Sequence, residues 1–511
     1  MQPESVISLR SRNFIIIASL LALFLGALDA LVMSAAMPTI VADLGGLHLY
    51  SWVYSAYFLA RAVALPVFGK LADIFRSRRL YIISICIFLL GSIFAGLAQN
   101  MLQLILSRVL QGIGAGGNFA LVYIVLADVS SPEDRGKTLS LGSFIWGLAS
   151  VLGPTFGGFI VTYFSWRWIF FVNVPLGAVS LLGIALYLVE VREKKKEAAI
   201  DYWGAVTLST AILGLLTVFL LAGRSYDWIS PQIIGLSIIT IAAGIAFYYA
   251  ERSAPEPILS LDFFGSRGFS IGNSSAFLAS FTIFSLFAYS PLFIQGALGK
   301  TPLQMSVAML SLSLGWSVGA LVCGQLVNRF GQKPSTVFGS LCLAVGGGIM
   351  ITFSTATSLT ACSIVLGLAG VGMGFVSMAT LLVVQDSLDI SDLGVATSSH
   401  QFARTLGGTI GVGLSGSFVT ATLSNVLESL MKTGLDNLPL SLNSEIKHSI
   451  ENIFRPEIQA LLAPEIQKTM QEAVARGVSM VFWISFFASL LCLILSVLIP
   501  VRSVPRSKGN S

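Results

Sequence analysis

Long apolar runs, broken by short stretches rich in Gly, Pro and charged residues, repeat from one end of the chain to the other. Roughly 20 helical residues cross a bilayer core, and only helices and closed barrels satisfy their backbone groups there. The runs predict helix cores at 14–41, 51–69, 80–98, 101–127, 138–163, 168–190, 203–222, 232–250, 269–295, 303–327, 335–353, 358–385, 394–421 and 477–500. The expected fold class is therefore an all-α integral membrane protein with fourteen transmembrane helices. The first run, Phe14 to Val41, is much longer than the roughly 7 to 15 apolar residues of a signal-peptide core, so it reads as a retained helix.

The pattern also repeats internally. GKLADIFRSRR from Gly69 is echoed by GQLVNRFGQKP from Gly324, LQGIGAGG from Leu110 by LAGVGMGF from Leu368, and SPEDRGKT from Ser131 by DISDLGVAT from Asp389. The offset is about 255 to 258 residues. Two six-helix halves are expected, 1–197 and 253–421 with 475–511, with two additional helices in 198–252. Repeats of this kind place a central cavity at their pseudo-symmetry axis. The remaining stretch, 422–474, carries mixed charges and amphipathic segments and is expected to form a long extracytoplasmic loop with short helices near the membrane surface.

Composition agrees and narrows the class. Of 511 residues, 55% are hydrophobic and only 11% charged, and the mean hydropathy is +0.84, which leaves no sizeable soluble domain. The net charge of +5 reflects basic residues at one end of the helices, so nucleic acid is not an expected partner. Arg10, Arg12, Lys70, Arg76, Arg78, Arg79, Arg135, Lys137, Arg329, Lys333 and others fall on one face, against Arg167, Arg224 and Lys300 in the short loops of the other. Both termini are expected in the cytoplasm, and the protein in the cell membrane.

Several familiar chemistries are not expected. The five cysteines lie in apolar runs without a CxxC pair, which predicts inert packing residues and no metal site. GIGAGG at Gly112 lies inside an apolar helix with no strand before it, and GKT at Gly299 lacks the earlier glycine of a phosphate loop. No nucleophile, base and metal set is visible, so neither an enzyme nor a cofactor is expected. The energy for any transport must then come from an ion gradient or from the solute itself.

Two features do carry chemistry. From Gly147 to Gly158 the chain reads GLASVLGPTFGG, where Gly147, Gly153, Gly157 and Gly158 offer small surfaces for helix packing and Pro154 predicts a bend. Four charges, Asp29, Arg61, Arg108 and Arg404, lie deep in apolar runs, where an ionisable side chain is costly unless paired or facing water. At ~1.5 Å per residue, Asp29 and Arg61 both sit roughly 15 to 18 Å from the outer ends of their helices, so they are able to pair. Asp29 either exchanges a proton or stays ionised in a permanent pair with Arg61 or Arg108. Arg61 either neutralises Asp29 or gives the cavity affinity for an anion. Arg404 is a further cavity candidate, and His400 one turn earlier reads as a satisfied buried histidine.

The chain resembles the major facilitator superfamily, and within it the fourteen-helix drug:proton antiporters. Gly69, Leu71, Ala72, Asp73 and Arg78 are similar to the family's cytoplasmic loop signature. Arg108, Gln111, Gly112 and Gly114 are similar to its helix 4 signature, and Gly147, Gly153, Pro154, Gly157 and Gly158 to its antiporter signature. Asp29 with Pro38, and WRWIFFVNVPLG from Trp166, suggest the fourteen-helix branch. The chain departs from the pattern at Arg76 and Ser77, at Asn328 in place of the second-half aspartate, and in LDALVMSAAMP of the first helix. The resemblance implies a monomeric exporter of small amphipathic solutes in exchange for protons, by alternating access, with Asp29 and Arg108 in proton coupling. Alternatives are an exporter of one physiological solute, such as a lipid, siderophore or anionic metabolite, and a membrane receptor or scaffold that does not transport.

Overall fold

The computed structural model describes residues 8–44, 49–131, 133–190, 201–223, 226–254, 257, 259–433 and 464–500. They form α1 (Leu9–Leu44), α2 (Tyr50–Ile74), α3 (Ser77–Gly96), α4 (Met101–Asp128), α5 (Arg135–Tyr163), α6 (Trp168–Tyr187), α7 (Tyr202–Leu221) and α8 (Pro231–Ser253). After these come α9 (Arg267–Leu292), α10 (Pro302–Phe330), α11 (Gln332–Met350), α12 (Leu359–Gln385), α13 (Leu393–Thr433) and α14 (Pro464–Val497). Twelve of the described helices are long and apolar enough to cross a membrane. The other two, α5 and α11, belong to the same bundle, and α11 opens with the polar run Gln332-Lys333-Pro334-Ser335.

Helix ends follow local chemistry. The side chains of Asn100, Asp201, Ser230 and Ser358 cap α4, α7, α8 and α12 by accepting backbone N–H bonds. The GKT triplet becomes a turn and a cap: Gly299 takes φ +62°, and Thr301 and Gln304 form a reciprocal capping box at the start of α10. Two helices outrun their predicted cores, since α13 continues to Thr433 and α14 begins at Pro464. The 422–474 stretch is thus partly an extension of these two helices, and its centre, 434–463, lies outside the described residues.

Glycine faces hold each half together. On α4, Gly112 and Gly116 abut the backbone of Tyr57 and Arg61 on α2, whereas Gly114 and Gly117 abut Phe88 and Ser84 on α3. An added methyl would come within 2.4–2.7 Å of atoms of those helices. The second half repeats the arrangement: Gly370 and Gly374 on α12 meet α10, and Gly372 meets Gly339 on α11. Where lipid tails remove most of the hydrophobic force between helices, such close approach supplies the packing energy. The GIGAGG run is therefore a three-helix packing surface.

The halves meet along two seams, α2 against α13 and α5 against α10. The pair α7–α8 is central in sequence but peripheral in space. Leu208, Ile212 and Leu216 of α7 pack on Leu59 and Ala62 of α2 and on Phe402 and Leu406 of α13, covering that seam from outside. On α8 only Ile233 and Glu251 are buried, which leaves an apolar surface suited to lipid.

At the basic face, where α1 begins and α14 ends, the seams are latched shut. Asp73 accepts the backbone N–H groups of Gly394 and Val395 at 2.8 and 2.9 Å, at the buried N-terminus of α13. Gly69 and Gly394 touch backbone to backbone there. Across the second seam Gly136 and Gly324 do the same, and the Asn328 amide donates to the Glu133 carbonyl. Asn328 stands in for the aspartate of the first-half motif by reversing the polarity of the contact. Arg135 joins the halves further through Asp386 at 3.2 Å.

Candidate functional site

The four deep charges fall into two separate centres, and the structure divides them differently from their depths alone. Asp29 on α1 is 1% exposed, and its carboxylate is enclosed by donors from α4 and α6. Arg108 Nη1 donates to Oδ2 at 2.5 Å, while Gln111 Nε2 and Asn173 Nδ2 donate to Oδ1 at 2.8 and 3.2 Å. Ser92 Oγ on α3 takes up the second N–H of Gln111 at 2.8 Å and that of Asn173 at 3.3 Å. A carboxylate desolvated this fully needs both an opposite charge and hydrogen bonds on its remaining lone pairs, and it has them.

Arg61 is not the partner of Asp29. Tyr57, one helical turn earlier on α2, belongs to the surroundings of both arginines. Arg108 stacks on its ring at 4.1 Å, its hydroxyl donates to the Gly26 carbonyl at 3.1 Å, and Tyr57 lines one small cavity with Arg61. The pairing allowed by depth fails because Arg108 occupies the carboxylate and Arg61 turns toward Phe119 and Trp146.

Arg61 instead lies over Phe119 at 4.2 Å and Trp146 at 5.4 Å, 7% exposed, beside a small cavity bounded by Gly26, Tyr57, Asn118 and those two rings. Across the α2–α13 seam, Arg404 lies over Trp316 at 5.3 Å and donates to Gln401 Oε1 at 3.0 Å. Tyr123 of α4 lies within electrostatic range of both arginines. His400 is fully buried, with Nε2 2.9 Å from Thr380 Oγ1. The expected satisfied histidine is thus satisfied at one nitrogen, while Nδ1 has no partner among the described residues.

Most of the remaining described motif residues lie at contacts between helices. The backbone N–H of Arg78 donates to Glu190 at 2.8 Å and its guanidinium to the Ala185 carbonyl, tying α3 to the end of α6. In the antiporter signature, Gly147 abuts Ser317 of α10, and Gly153 abuts Leu31 of α1. Gly157 is buried. Gly158 departs from expectation: an added Cβ would meet nothing within 4 Å, so it makes no close helix contact. The packing of Pro154 lies outside the described residues. WRWIFFVNVPLG supplies both Asn173 and an outer clasp, in which Trp166 Nε1 and Arg167 Nη1 donate to Asp43 at 2.9 and 2.8 Å. Those two donors hold the Asp43 carboxyl below its ordinary range, the Trp166 bond contributing most.

Of the cage, Asp29 and Arg108 were identifiable from burial cost and Gln111 from its motif, but Asn173, Ser92 and Tyr57 were not singled out. Trp146 and Trp316 also carried a signal, because Arg61 and Trp316 are spaced by the repeat offset, as are Trp146 and Arg404. Among the described residues there is no group of His, Cys, Asp and Glu able to hold a metal ion.

Comparison with known proteins agrees with this architecture. The chain is 33% identical over 482 residues to the multidrug transporter protein MdtP of Bacillus subtilis, covering 94% of this chain and 89% of that one. It is 30% identical over 484 residues to multidrug resistance protein 3 of the same organism, covering 94% of each. Efflux pump FUS6 of Gibberella moniliformis is 29% identical over 505 residues, covering 97% and 88%. Among solved structures, the proton:xylose symporter XylE aligns with a TM-score of 0.60 at 16% identity, covering 96% of each chain, a likeness of fold alone. The profile described as Major Facilitator Superfamily matches residues 19–412. With its paired glycine-faced halves, two inter-half seams and relatives in multidrug efflux, the chain is a member of the major facilitator superfamily, a multi-pass membrane transporter of small solutes.

Proposed function

We propose that this protein exports amphipathic solutes across the cell membrane in exchange for protons, and that Asp29 is the coupling carboxylate. The observation that carries the reading is the enclosed Asp29–Arg108 pair, the one acid among the described residues buried in the middle of a span of the first half. Relatives whose names specify multidrug transport or efflux support the substrate class and the outward direction.

The chemistry follows from the cage. An ionised Asp29 holds α1, α4 and α6 together through Arg108, Gln111 and Asn173. Protonation removes the charge that Arg108 neutralises and turns one oxygen from acceptor to donor, so Arg108 loses its anchor. Because Arg108 packs on Tyr57, which lines one small cavity with Arg61, its release is felt at that cavity. With the basic face taken as cytoplasmic and latched shut, the carboxylate receives its proton from the outer side. Proton loss toward the cytoplasm then restores the pair and readies the cavity for the next solute. The two halves lie in one chain, so a monomer suffices.

The test is proteoliposomes with an entrapped pH dye, challenged with anionic and cationic amphiphiles, for wild type and Asp29→Asn. Solute-driven proton movement is expected in wild type and is expected to fall at least ~10-fold in the variant, which carries no exchangeable carboxyl proton. Undiminished proton flux in Asp29→Asn would remove Asp29 from the coupling, and solute flux without any proton movement would remove antiport.

A further inference from the structure

We infer that Arg61 and Arg404 form a twin-guanidinium site for the oxyanion of an aromatic amphiphile, with Trp146 and Trp316 as its stacking walls. The inference rests on the reading of the chain as a solute exporter, and names the class of solute.

Four observations converge. The first is position. Arg61 on α2 and Trp316 on α10 are equivalent in the internal repeat, about 255 residues apart, as are Trp146 on α5 and Arg404 on α13, about 258 apart. The two Arg–Trp stacks, at 5.4 and 5.3 Å, are therefore one arrangement built twice, with arginine and tryptophan exchanged between the equivalent helices. The exchange puts both cations at the α2–α13 seam and both indoles at the α5–α10 seam. At the latter, the contact between Gly147 and Ser317 brings Trp146 and Trp316 to either side of the crossing.

The second is charge. Asp29 is consumed by Arg108, and no carboxylate among the described residues pairs with Arg61 or Arg404. Each instead faces aromatic rings, Arg61 over Phe119 and Trp146 and Arg404 over Trp316, and Arg404 lies within electrostatic range of Arg61. Two like charges at mid-membrane, about 16 Å along their helices from Tyr50 and Leu393, are costly without an anion between them. The third is unmet hydrogen bonding. The Nε atoms of Arg61 and Arg404 and the Nε1 atoms of Trp146 and Trp316 are all buried and all lack an acceptor. Four orphan donors around one axis make a site that lacks acceptors, and a carboxylate, sulfonate or phosphate supplies them.

The fourth is the apolar frame. Phe119 flanks Trp146 edge-on at 5.9 Å, while Phe284 and Phe287 flank Trp316 at 6.0 and 6.4 Å. Flat rings bearing one anionic group match such walls better than a compact inorganic ion, which would leave the indole faces unused.

The experiment is equilibrium binding to the detergent-purified full chain at neutral pH, read by tryptophan fluorescence, so no proton gradient enters. The probes are naphthalene-1-sulfonate and the naphthyl trimethylammonium cation, which share a ring system and differ in charge. The sulfonate is expected to bind at least ~10-fold more tightly than the cation, and Arg61→Gln or Arg404→Gln to weaken the sulfonate at least ~10-fold, as loss of a charged hydrogen bond does. Arg61→Lys, which keeps the charge and guards against misfolding of the neutral variant, is expected to retain the preference for the anion. Equal affinity of wild type for both probes, or sulfonate affinity unchanged in the neutral variants, would overturn the site. Proton flux driven by cations alone would also overturn it while leaving antiport standing; sulfonate binding without proton flux would support the site and remove antiport.

Discussion

The Asp73 carboxylate on α2 accepts the backbone N–H of Gly394 at the start of α13 at 2.8 Å, across 321 residues of sequence. The second bond, from Val395, makes the contact a charged cap on a helix N-terminus, where the dipole favours an anion. It closes the basic face, so its strength sets the population of the closed state.

Asp73→Asn replaces the two-oxygen anion with a neutral amide and is expected to weaken closure by about 1.5–3 kcal/mol. Asn328→Asp, which would restore the aspartate of the first-half motif, is expected to weaken closure too, because a carboxylate would face the Glu133 carbonyl that Asn328 now donates to. Distances between spin labels at Arg76 and Ser391 measure both, and a longer population is expected in each variant. An Asn328→Asp distribution identical to wild type would show that the second latch does not bear on closure.

The buried pair makes a stability prediction of its own. Arg108→Ala leaves the Asp29 carboxylate with only the amides of Gln111 and Asn173, and removal of one partner of a buried pair costs about 3–5 kcal/mol. Combining Arg108→Gln with Asp29→Asn removes both charges and is expected to recover most of that loss. Thermal unfolding in detergent decides it. Additive losses would mean that the two residues do not act as a pair.

Glycines of the antiporter signature are expected to differ sharply. At Gly147 an added Cβ would stand 1.7 Å from Ser317 Oγ, so Gly147→Ala forces α5 and α10 apart at a typical overpacking cost of about 1–3 kcal/mol. Gly158→Ala meets open space and is expected to change stability by no more than about 0.5 kcal/mol. Unfolding temperatures of the two variants, compared with wild type, check the contrast.

The outer clasp gives a pH dependence. Because the folded Asp43 carboxyl lies below its ordinary value of 3.8, its contribution is fully present above that value and is lost as pH falls through the lower folded one. Asp43→Asn is therefore expected to be less stable than wild type by an amount that is constant from pH 5 to 8 and shrinks in stronger acid. A gap that instead opens or closes within pH 5 to 8 would assign it to another group.

Much of this protein was determined by the sequence alone. Apolar run length fixed the spans, because a helix in lipid has no other way to satisfy its backbone. The repeat offset fixed the two halves, and the cost of an isolated charge in lipid singled out Asp29, Arg61, Arg108 and Arg404. Depth along a helix follows from sequence, but direction around it depends on neighbours that only the folded bundle supplies. The tertiary structure accordingly decided that Asp29 pairs with Arg108 and not Arg61, since Arg61 turns toward Phe119 and Trp146. It also brought Asn173 and Ser92 to the carboxylate from helices far apart in the chain. Likewise it turned Arg61 onto Phe119 and Trp146 and Arg404 onto Trp316, contacts that depth along either helix does not foretell.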